Sequence, residues 1–80
     1  MNEKNLQCYW DKFKGINEKA MKAYKEKNGP VLVDLYGSIN YFNGYFMGES
    51  LNGFNEEINK LFEYSTVLSR KIYSLILDIL

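Results

Sequence analysis

Residues 36–48 read YGSINYFNGYFMG, and two folds compete for them. Asn-Gly between apolar runs is the strongest short signal for a β-hairpin. Val31, Val33, Tyr36, Ile39, Tyr41, Phe42, Tyr45 and Phe46 are the β-branched and aromatic residues that strands favour. That reading gives an α+β fold, with a three-stranded meander at 31–49 (strands 31–36, 39–42 and 45–49) between two helices. Its difficulty is that large aromatics fall on both faces of the hairpin, Tyr41 with Phe46 on one and Phe42 with Tyr45 on the other. Strands of about 20 Å would also sit beside much longer helices.

Turned through 100° per residue, the same segment sorts differently. Leu32, Leu35, Tyr36, Ile39, Phe42 and Phe46 step by three and four onto one face. Gly37, Gly44 and Gly48 gather within about 40° of one another on the opposite side, near Val33 and Tyr41. A helix with one bulky face and one small-residue face can be covered on both sides, the glycines letting a second helix approach closely. Packing routinely overrides propensity, so the helix is preferred over the meander.

The flanks agree with that choice. Leu6, Tyr9, Trp10, Phe13, Ile16, Ala20, Met21 and Tyr24 fill one arc of a first helix, and Asp11, Lys12, Glu18, Lys19, Lys22 and Lys25 the other. Asn2 or Asn5 is positioned to cap its start. Asn28-Gly29-Pro30 predicts its end, with the glycine taking a left-handed φ and the proline opening the next helix. Ile58, Leu61, Ser65, Leu68, Ile72, Leu75 and Ile79 trace a third helix, capped by Asn52 or Asn55, with Glu56 and Glu57 where the helix dipole favours negative charge. The expectation is an all-α, antiparallel three-helix arrangement of one domain over residues 1–80, with helices at about 2–27, 31–48 and 54–80, open to self-association. The third helix ends in Leu75, Ile76, Leu77, Ile79 and Leu80, an apolar tip expected to be covered.

Composition narrows function mainly by exclusion. Eighty residues that are 46% hydrophobic and 16% aromatic are too apolar for disorder, yet a chain this short buries only about 60% of its unfolded surface. Ten basic and ten acidic side chains cancel, although residues 1–27 carry seven Lys against four acids and the remainder three cations against six acids. Acids at 11, 18 and 26 interrupt the lysines of the first helix, which disfavours direct nucleic-acid binding. No stretch is long and apolar enough for a membrane span, and the charged start MNEKNLQ lacks a secretory pattern, so a cytoplasmic protein is expected. Nine Lys, nine Asn and seven Tyr against one Arg and two Ala suit an AT-rich coding sequence, as in a low-GC bacterium, its phages or mobile elements.

The absence of His excludes Ser-His-Asp and Cys-His nucleophile systems, and with a single Cys it excludes structural zinc. Neither G-x-G-x-x-G nor a P-loop occurs. Glu49, Glu56, Glu57 and Glu63 have no spaced partner motif and read as helix-start and surface charge, and Cys8 as a bystander. No enzyme, metal or cofactor is therefore expected. What remains is binding, with Gly37, Tyr41, Gly44, Tyr45 and Gly48 as the candidate interface: small residues for close approach, and tyrosines with an apolar body and a hydrogen-bonding tip. Three versions fit. The first docks on a larger protein as an inhibitor or adaptor, the second is a homo-oligomer with a structural or regulatory role, and the third binds a small, nucleotide-like ligand.

Overall fold

The computed structural model of the protein describes residues 3–53 and 55–80. It is all-α: α1 (Glu3–Lys25), α2 (Gly29–Asn52) and α3 (Glu56–Ile79) run up, down and up in a three-helix bundle. No strand occurs among the described residues, which excludes the meander. The middle helix is longer than the periodicity predicted, opening at Gly29 and continuing through Asn52.

One of the expected caps, Asn55, is present, and Asn28, expected only as part of the stop of the first helix, also caps the second. The Asn28 side chain accepts a hydrogen bond from the Val31 amide at 3.3 Å, and that of Asn55 from the Ile58 amide at 3.0 Å. Each satisfies a backbone donor that the first helical turn leaves without a partner. Asn5 lies inside α1 and Asn52 closes α2, so neither is a cap, while Asn2 falls outside the described residues.

The turn after α1 departs from expectation in one respect. The Asn28 amide donates to the Ala23 carbonyl at 2.8 Å and the Lys27 amide to the Tyr24 carbonyl at 3.0 Å, the paired bonds of a Schellman end. The left-handed residue that this geometry requires is Lys27, at φ 54°, and not Gly29, which is the first residue of α2. A side chain in that region clashes with its own carbonyl. Lys27→Gly is therefore expected to stabilise the fold by about 0.5–1 kcal/mol, read as a rise in the thermal midpoint.

α2 and α3 form the closest pair, and a polar ladder sets their register. Ser69 Oγ donates to Asn40 Oδ1 at 2.5 Å, Asn43 Nδ2 donates to Ser65 Oγ at 2.9 Å and Thr66 Oγ1 at 2.8 Å, and the Ser50 hydroxyl bonds the Asn59 side chain. Each step forward on α2 is matched by a step back on α3, so all three rungs belong to one antiparallel alignment. Ser65 is fully buried and passes its own hydrogen on to the Phe62 carbonyl at 2.7 Å. Among the described residues no buried side-chain polar atom lacks a partner, so the ladder avoids the desolvation penalty of an unmade bond. Asn43, the supposed turn residue, is thus held by contacts with α3 that a hairpin would forfeit.

α1 lies against both partners through aromatics at one end and alanines at the other. The Phe13 ring packs edge-on to Phe42 and Phe46 at centroid distances of 5.7 and 6.1 Å and stacks on Tyr64 at 5.9 Å, touching all three helices at once. Tyr9 meets Phe46 at 4.9 Å, and Trp10 meets Tyr64 at 5.5 Å while donating its indole N–H to Glu57 at 2.7 Å. Toward the turn, buried Ala20 and Ala23 take the place of rings. There Lys71 Nζ donates to Asn17 Oδ1 at 2.8 Å and the Tyr24 hydroxyl donates to Asp78. That hydrogen bond, and then the charge of Asp78, holds the Tyr24 phenol above its usual pKa. At the tip of α3, Leu75, Ile76 and Ile79 pack against the core while Leu77 and Leu80 stay exposed, so the expected cover is only partial.

Candidate docking face on the second helix

Helices α1 and α3 gather most of their apolar residues on one side, although Val67, Tyr73 and Leu77 of α3 stay exposed. Helix α2 does not. Its inward stripe, Leu32, Ile39 and Phe46, is fully buried, and the opposite stripe carries Pro30, Val33, Gly37, Tyr41, Gly44, Gly48 and Leu51. These outward residues are spaced by three and four, as regularly as the core residues. The helix has only two charged residues, Asp34 and Glu49. A helix apolar on every side is normally buried on every side. Here α1 and α3 cover one side and the outward stripe faces solvent: Val33 is 55% exposed, Tyr41 72% and Leu51 81%.

The glycines explain how close another backbone could come. A Cβ added at Gly37, Gly44 or Gly48 would meet no atom within 4 Å, and none of the three has a positive φ. Neither tight packing within the chain nor an unusual backbone angle requires glycine at these sites. The small-residue face is therefore not a seat for α1 or α3, which settles against the possibility that a helix of the same chain packs there.

The five candidate residues are brought to one side of α2, but Tyr45 differs from the rest. Its ring lies 6.1 Å from Tyr9 and 5.1 Å from Phe46, half-covered by the core's aromatic cluster, and burial followed by the nearby Tyr9 and Glu49 raises its phenol pKa. Tyr41 touches Phe42 alone among the aromatic pairs and projects outward. Sequence spacing could not separate the two tyrosines, because the difference comes from Tyr9 on α1. Val33 and Leu51 were not among the candidates, although the same spacing extended past both ends of the glycine stripe would have reached them.

Other features carry less chemistry. A cleft of about 530 Å³ lies beside the α1–α2 turn, between Pro30, Val33 and Asp34 of α2 and Ile76, Ile79 and Leu80 of α3. Its lining is mostly aliphatic, and it does not include Tyr41, Gly44 or Gly48. Among the described residues no three of His, Cys, Asp or Glu cluster as metal ligands, the one ion pair is Lys60 with Glu56 at 3.7 Å, and no helix is long and apolar enough to cross a membrane. Cys8 is exposed. Comparison with protein-family models, with curated proteins and with solved structures finds no match to this chain.

Proposed function

We propose that the protein is a small, non-enzymatic cytoplasmic protein that acts by laying the outward face of α2 on a larger protein. The observation that carries this reading is the apolar, nearly uncharged stripe on a helix whose other side is already filled. Tyr41 is the anchor. A tyrosine that stands clear of its own fold, flanked by glycines that admit a neighbouring backbone, has the size and polarity of an interface hot spot. An inhibitor or adaptor role, and an origin in a phage or mobile element, rest on the small size and the AT-rich residue bias.

The test is capture of the partner from the source cell by the wild type and by Tyr41→Ala. Tyr45 is left intact because its ring belongs to the aromatic core. Loss of a hot spot of about 2 kcal/mol lowers affinity roughly thirtyfold, enough to empty a pull-down near its dissociation constant. A partner retained equally by both proteins would remove α2 as the contact.

A further inference from the structure

We draw no further inference here: the strongest candidate, the aliphatic cleft between Pro30 and Val33 of α2 and Ile76, Ile79 and Leu80 of α3, is lined by one cation, Lys27, and one acid, Asp34, whose charges cancel, and nothing in the structure shows what covers it.

Discussion

Phe13→Ala is expected to bring the protein to the edge of unfolding. The ring is fully buried and touches Phe42 and Phe46 on α2 and Tyr64 on α3, so its removal loosens both interfaces of α1 together. Truncating a buried phenylalanine costs about 3–5 kcal/mol, from lost transfer energy and from the cavity left behind. At about 0.05–0.15 kcal/mol per residue, a chain of this length has only about 4–12 kcal/mol in total. Urea titration followed by circular dichroism should therefore show a midpoint well below that of the wild type, with native helicity retained only at low temperature. A loss under 1 kcal/mol would mean that α1 is not held by this ring cluster.

The triple variant Gly37→Ala, Gly44→Ala, Gly48→Ala should act in the opposite sense and nearly as strongly. Each glycine sits inside α2 with helical φ, and an added methyl meets nothing. Replacing glycine by alanine in such a position is worth about 0.5–1 kcal/mol, mostly because the unfolded chain loses freedom. The three sites share no partner, so the effects should add to about 1.5–3 kcal/mol, or roughly 6–24 °C in thermal midpoint for a domain of this size. A midpoint that falls would show that a contact on this face requires the glycines. A chain that keeps three such glycines forgoes stability, a cost that the proposed docking role would account for.

Much of this architecture is written in the sequence through periodicity. Three stripes at spacings of three and four gave three helices, Asn28-Gly29-Pro30 marked the first turn and Asn55 one helix start, because caps and amphipathic faces depend on residues near one another in the chain. Residues 36–48 were ambiguous because Asn43-Gly44 carries a strong local turn signal. That signal is overridden by Ser65 and Thr66, which lie more than twenty residues away and hold the Asn43 side chain. The left-handed residue of the first turn was misplaced for a related reason: intrinsic preference points to Gly29, whereas the hydrogen bonds from Asn28 and Lys27 put Lys27 at the strained position. On the outward face, the wheel found the glycines and Tyr41. Only the position of α1 could show that Tyr45 is half-claimed by the core.

The ladder between α2 and α3 also governs how readily the outward face can engage. Turning α2 by one residue about its axis would swing the stripe through 100° and break the bonds of Asn40, Asn43 and Ser50 together. The stripe is thus held at a fixed azimuth before any encounter, and little backbone ordering remains to be done on binding. Association should then proceed at the rates of rigid partners, about 10⁵–10⁷ M⁻¹s⁻¹, limited by orientation at collision and not by folding. Selectivity would follow from the same rigidity, since a visiting helix must fit a surface that does not adjust to it.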